Sequence, residues 1–196
     1  MFADMSSILS EKESGGFSVE KFTVTKNDIR AVLIDRIPPG EYVRLVKKGG
    51  MSGVIMSNTP MEKRTNREIV GRSNGNVLIA GLGIGLILLP IQEKENVTSI
   101  TVLEKYQDVI NLVATQLPLN EKVNIIQGDV FDYQFPRGTK FDTIYFDVWS
   151  YINSDIYQEM RELKKLYRKY KVSPKENPDA WMGCWAEWEA RVGRKI

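Results

Sequence analysis

The sequence predicts an α/β chain built on a doubly wound parallel sheet, and two observations carry that prediction. The apolar run Val77–Ala80 ends in Gly81-x-Gly83-x-Gly85, which reads as a buried strand turning tightly into a helix. Beyond it, the strand-like runs Ser99–Leu103, Val123–Ile126 and Phe141–Val148 alternate with the helical stretches Gln107–Leu117 and Ile156–Tyr170. That alternation gives parallel strands joined by crossovers.

In chain order, residues 1–16 are rich in Ser, Gly and charge and read as a mobile arm. Residues 17–70 read as a β-rich extension closed by a helix. Phe17–Val24 alternates like a strand, Ala31–Ile34 suggests another, and Pro38-Pro39-Gly40 is a turn. Tyr42–Val46 and Val54–Met56 flank Lys47-Lys48-Gly49-Gly50 as a hairpin would. Thr59-Pro60-Met61-Glu62 has the form of a helix start, with Thr59 as N-cap, Pro60 at the first helical position and Glu62 completing a capping box. Residues 71–172 form the expected Rossmann-like core. Within it Pro90 predicts a short or kinked helix after the glycine turn, because proline in a helix interior costs roughly 3 kcal/mol. In the last long helix the basic run Lys164, Lys165, Arg168, Lys169 and Lys171 reads as a solvated face. Residues 173–196 read as a helical tail. Its Trp181, Trp185 and Trp188 have the spacing of one helical face and are expected to pack on the sheet or on another subunit.

Composition narrows the chemistry. The 196 residues are 42% hydrophobic with a net charge of +2, too small to argue for nucleic acid or an anionic membrane. The chain has no histidine, which removes Ser-His and Cys-His nucleophiles and His-ligated zinc. One cysteine, Cys184, excludes an internal disulfide and a Cys-rich metal centre, and no metal site is read. The polar, acidic start is read as lacking a signal peptide, no apolar run is long enough to cross a bilayer, and a cytoplasmic location is expected.

The candidate site collects at the expected strand ends, where open α/β sheets bind ligands. Gly81, Gly83 and Gly85 bring bare backbone to a ligand. Glu104, about 20 residues further on, is placed to accept from a ribose diol. Asp129 and the amide of Val130 are placed for an adenine, and Asp147 ends the fourth strand beside the first. A nicotinamide or flavin turn reads Gly-x-Gly-x-x-Gly. Here the third glycine comes one residue early and position 86 is Leu, which favours S-adenosylmethionine (SAM).

From about Glu68 to Tyr170 the chain resembles class I SAM-dependent methyltransferases, and within them the spermidine synthase-like branch. The resemblance lies in VLIAGLGIG, ITVLEKYQDVI, NIIQGDVFDY and FDTIYFDVWS. It implies that Gly81, Gly83 and Gly85 line the methionine and ribose portion of SAM, that Glu104 holds the ribose, and that Asp129 with Val130 holds the adenine. It also implies that Asp147 faces the nucleophilic amine of a substrate. Trp149, two residues on, is read either as shaping the acceptor pocket or as serving the core. The resemblance further implies a core order 3-2-1-4. The chain ends too soon for the three further strands of that family, so a sheet of four parallel strands is expected. Its bare edge makes a homodimer an expectation. Where spermidine synthases carry acids, this chain has Ile84 and Ser150. The leading expectation is therefore methyl transfer to a small amine or protein side chain. Aminopropyl transfer from decarboxylated SAM and a non-catalytic SAM-binding remnant are the alternatives.

Overall fold

A run as apolar as Val77–Ala80 is stable only if both faces of its sheet are covered. A computed structural model, which describes residues 1–49, 53–151 and 153–193, shows how they are. In chain order the elements are α1 (Met5–Ile8), β1 (Lys12–Ser14), β2 (Phe17–Val24), a π-helical turn (Arg30–Ile34), β3 (Gly40–Lys47), β4 (Gly53–Ser57), α2 (Pro60–Thr65) and α3 (Arg67–Arg72). There follow β5 (Gly75–Ala80), α4 (Leu88–Gln92), β6 (Val97–Glu104), α5 (Gln107–Val113), β7 (Val123–Gln127), β8 (Thr143–Phe146), α6 (Ser154–Tyr167), β9 (Trp181–Cys184) and α7 (Glu187–Val192).

These make two sheets. An antiparallel one runs β1-β2-β3-β4, and a parallel one runs β7-β6-β5-β8-β9. Val77, Leu78, Ile79 and Ala80 of the central strand are all fully buried. On α6, Ile156, Met160, Leu163 and Tyr167 are buried at helical spacing, and the Asn153 side chain caps the helix by accepting the Ile156 N–H at 2.9 Å. Pro90 is the third residue of the five-residue α4, where its missing N–H has no intrahelical partner to lose.

Several expectations are corrected. Residues 1–16 are docked: Met5 and Leu9 are fully buried, β1 pairs with β2, and the Ser14 hydroxyl donates to Asp108 of α5 at 2.7 Å. The two apolar side chains outweigh the arm's polar composition. Ala31–Ile34 is no strand. The Thr25 amide and hydroxyl donate to Asp28 and wind the chain into the π-helical turn, which leaves Ile29, Leu33 and Ile34 exposed. Thr59 makes no side-chain cap bond; its hydroxyl meets that of Ser57 at 3.0 Å, and the helix breaks at Asn66. The β3–β4 hairpin forms, with residues 50–52 of its tip outside the described residues.

The tail is the largest correction. Trp181–Cys184 is a parallel strand against β8, so the sheet does not stop at four strands, and among the described residues of the tail only Glu187–Val192 is α-helical. The three tryptophans therefore do not share a helix. Trp181 stacks on Tyr145, and the Trp185 indole donates to Thr65 at 3.0 Å. The sheet edge that motivated a homodimer is covered along β8 by β9. No helix among the described residues is long and apolar enough to cross a membrane.

Candidate functional site

The site begins where β5 ends. The Asp147 amide donates to the Ala80 carbonyl and the Gly81 amide to the Leu103 carbonyl, both at 2.8 Å, so the ends of β8, β5 and β6 are tied together. Gly81, Gly83 and Gly85 have φ of +97°, +53° and +75°, which glycine adopts without strain. Each is also crowded. A Cβ on Gly81 would run into the Asp147 carbonyl, one on Gly83 into the Met56 sulfur, and one on Gly85 into the Leu117 side chain.

The ends of these strands open on a cleft of about 220 Å³. Of the residues expected from sequence, Gly81, Gly83, Glu104, Asp129, Val130, Asp147 and Trp149 line it. Gly85 does not; it lies under the turn against Leu117 and lets the chain close there. The near wall comes from the antiparallel sheet, through Leu45, Ile55 and Met56. That sheet is placed by its packing on α5 and by a ring contact between Phe17 and Tyr106, the residue just before α5, at 4.8 Å.

Glu104 is 6% exposed and accepts the Leu82 and Tyr106 amides, each at 2.9 Å. Burial pushes its pKa up while these backbone donors pull it down, and burial prevails. An ionised carboxylate offers roughly four acceptor positions. Two hold the glycine turn and the start of α5 and the Lys105 amide draws on a third, which leaves acceptor capacity for a ligand. Asp129 accepts the Phe131 amide at 3.0 Å and pairs with Lys105 at 2.8 Å. Burial would raise its pKa, but the Lys105 ammonium and the Phe131 amide hold it below the usual carboxylate range. This exposed pair is worth ~1 kcal/mol or less, so a ligand amino group competing for Asp129 displaces little. The Val130 carbonyl accepts the Tyr167 hydroxyl at 2.8 Å, which fixes the loop.

Asp147 keeps some exposure through the cleft but is otherwise enclosed by protein, and burial pushes its pKa up to about 7. The Trp149 indole donates to Glu159 of α6 at 2.9 Å, so the ring is held while it lines the cleft. Glu62, read as a capping residue, is buried and lies off the lining of the cleft; burial first, and then the charge of Asp147, raise its pKa to about 8. Tyr106 and Phe131 on the cleft were missed as site residues.

No protein-family model matches the chain, and no curated protein matches it. Similar solved structures include the plantazolicin methyltransferase BpumL in complex with SAH, at 18% identity over 58% of this chain and 50% of that one, TM-score 0.40. The Trypanosoma brucei PRMT1 enzyme-prozyme heterotetrameric complex with AdoHcy matches at 18% identity over 62% of this chain and 38% of that one, TM-score 0.45. The N-methyltransferase NodS from Bradyrhizobium japonicum matches at 14% identity over 44% of each chain, TM-score 0.38. The chain thus spans half the length of the BpumL structure and less of the other two.

Proposed function

We propose that this chain binds SAM and transfers its methyl group to the nitrogen of a small amine or a protein side chain. The observation that carries the reading is one cleft shared by a glycine turn with no room for side chains, a buried carboxylate with spare acceptor positions, and Asp147. The residues fit the cofactor: Gly81 and Gly83 admit it to the backbone, Glu104 accepts from the ribose hydroxyls, and Asp129 accepts from the adenine amino group. SAM supplies an electrophilic methyl carried on a sulfonium.

The chain's own residues do the rest. The walls formed by Met56, Leu45 and Trp149 exclude water and fix the direction of approach, from which much of the rate would come. With its pKa near 7, Asp147 accepts a proton from, or hydrogen-bonds to, the incoming nitrogen at neutral pH. Aminopropyl transfer is less well supported. Ile84 is fully buried beneath the turn and Ser150 is exposed, so neither supplies the acid expected there.

The test is transfer of a tritiated methyl group from SAM to a panel of primary amines and basic peptides. Wild-type protein should label one class of acceptor, and Asp147→Asn should bind SAM with little change while labelling falls. Equal labelling by the variant removes Asp147 from the chemistry.

A further inference from the structure

The small net charge conceals a segregation. Residues 161–175 carry seven cations and one acid, Glu162, so the rest of the chain is net acidic. On α6 and the 3₁₀ turn that prolongs it, Arg161, Lys165 and Arg168 line one shallow surface groove. Lys169, the next residue, lines a second groove with Arg137 and Lys140 of the loop before β8. The two segments are tied together: the Lys140 ammonium donates to the Lys169 carbonyl at 3.0 Å, and the Lys169 ammonium to the Gln134 side chain at 2.7 Å. Both acceptors are neutral, so both charges stay uncompensated. All six cations are exposed, and none has a carboxylate partner among the described residues. Lys164, in contrast, pairs with Glu187 at 2.6 Å. The acids beside the band are Glu162, which lines the first groove and accepts from Gln158, and Glu176, which is held by Ser173 and lies within the field of Lys140. The helix dipole accounts for cations in the last turn of α6, but not for Arg161 upstream of it or for Arg137 and Lys140 on a separate loop. Gathering six like charges costs self-repulsion unless an anion meets them.

We propose that this band is a sequence-independent docking surface for a nucleic-acid phosphate backbone, separate from the cleft. Arg161 to Arg168 covers about 10 Å of helix axis, against about 3.4 Å per phosphate along one duplex strand, so the row matches about three phosphates. Arginine adds a planar fork suited to two phosphate oxygens at once. Of the aromatic residues lining the second groove, Tyr170 is buried and Phe135 half-buried, packed ring to ring, so neither is free to stack on a base. Backbone charge is therefore what the surface reads. None of the exposed large hydrophobic residues among the described ones lies on α6 or in the loop 134–140. A bilayer-binding helix inserts apolar side chains, and a protein interface centres on buried anchors. This band offers charge alone, which suits a phosphodiester chain. The Phe141 amide donates to the Tyr170 carbonyl at 2.7 Å, which sets the end of the band at the start of β8, whereas Asp147 and the cleft lie at the other end of that strand. The band shares no residue with the cleft lining, so the inference stands apart from the SAM reading.

The test uses the full chain without cofactor, so it succeeds or fails separately from SAM binding. Fluorescence anisotropy is followed with short labelled duplexes of RNA and of DNA of arbitrary sequence. Affinity should fall about a thousandfold between about 50 and about 200 mM KCl, as release of about six counterions requires. Arg161→Gln, Arg168→Gln and Arg137→Gln should each lower the slope of log affinity against log salt by about 1. Arg168→Lys, which keeps the charge, should leave the slope unchanged. So should Lys21→Gln, which removes an exposed cation of β2 outside the band. Binding of either duplex in this pattern supports the surface. Failure to bind both duplexes, or a slope that Lys21→Gln lowers as much as Arg168→Gln does, overturns it. Tighter binding of phosphatidylserine vesicles or of polyglutamate than of either duplex also overturns it, in favour of a membrane or an acidic protein.

Discussion

Replacing Gly81 with alanine isolates the close approach that shapes the cleft. Gly81 has φ +97° and a Cβ there would meet the Asp147 carbonyl; Gly138 has φ +91° with nothing within 4 Å of the same position. The two sites share a backbone penalty of ~1–2 kcal/mol for a left-handed L-residue. Gly81 adds an overpacking term of ~1–3 kcal/mol, because the obstructing oxygen is main chain and cannot rotate away. The Asp147 amide is itself tied to Ala80 at 2.8 Å, which limits relief by local movement. Gly138→Ala should therefore cost about 1–2 kcal/mol and Gly81→Ala about 2–5 kcal/mol. Urea unfolding followed by tryptophan fluorescence measures both, provided the m-values agree. Trp149, two residues beyond Asp147, reports on the affected loop. Equal losses at the two glycines would refute a turn pressed against Asp147.

Three further outcomes follow from the same geometry. Leu9→Ala should cost ~2–5 kcal/mol, as for a buried leucine elsewhere; a loss within experimental error would mean that the N-terminal arm is not docked. Glu62 and Asp147 both have folded pKa values raised above their unfolded ones. Their contribution to stability is therefore complete below about pH 4 and is lost as pH rises through about 7 and 8. Glu62→Gln should flatten that decline and leave the protein more stable than wild type above neutral pH, by roughly 1–4 kcal/mol; unchanged pH dependence in chemical denaturation would contradict it. Methyl transfer should rise with pH through about 7 as Asp147 ionises, and a profile flat across that range would dissociate Asp147 from proton transfer.

The core was legible because β5 and β8 carry apolar runs that survive only between two covered faces, and β5 to β8 are each ended or followed by a small or acidic residue. That spacing brought Glu104, Asp129 and Asp147 to one cleft with Gly81 and Gly83. Gly85 packs against Leu117, 32 positions away in sequence, because the same glycine type serves close packing as well as ligand approach. β9 was illegible for a different reason. Tryptophans at 181, 185 and 188 imitate a helical face, whereas Trp181 and Cys184 belong to a strand set by pairing with β8. Ala186, at φ +49°, then turns the chain into α7. Docking of residues 1–16 depends on two side chains, Met5 and Leu9, in a segment whose average composition argues for disorder. Glu62 matched a local capping pattern, and nothing local could show that its side chain is buried instead.

Calorimetric titration of the wild type and of Glu104→Ala with SAM, its demethylated product, decarboxylated SAM and NAD tests the SAM reading most directly. Saturable binding of SAM and its product is predicted, weakened by about 1.5–3 kcal/mol in Glu104→Ala as charge-assisted bonds to the ribose are lost. Saturable binding of NAD alone, or an affinity for SAM that Glu104→Ala leaves unchanged, would contradict it.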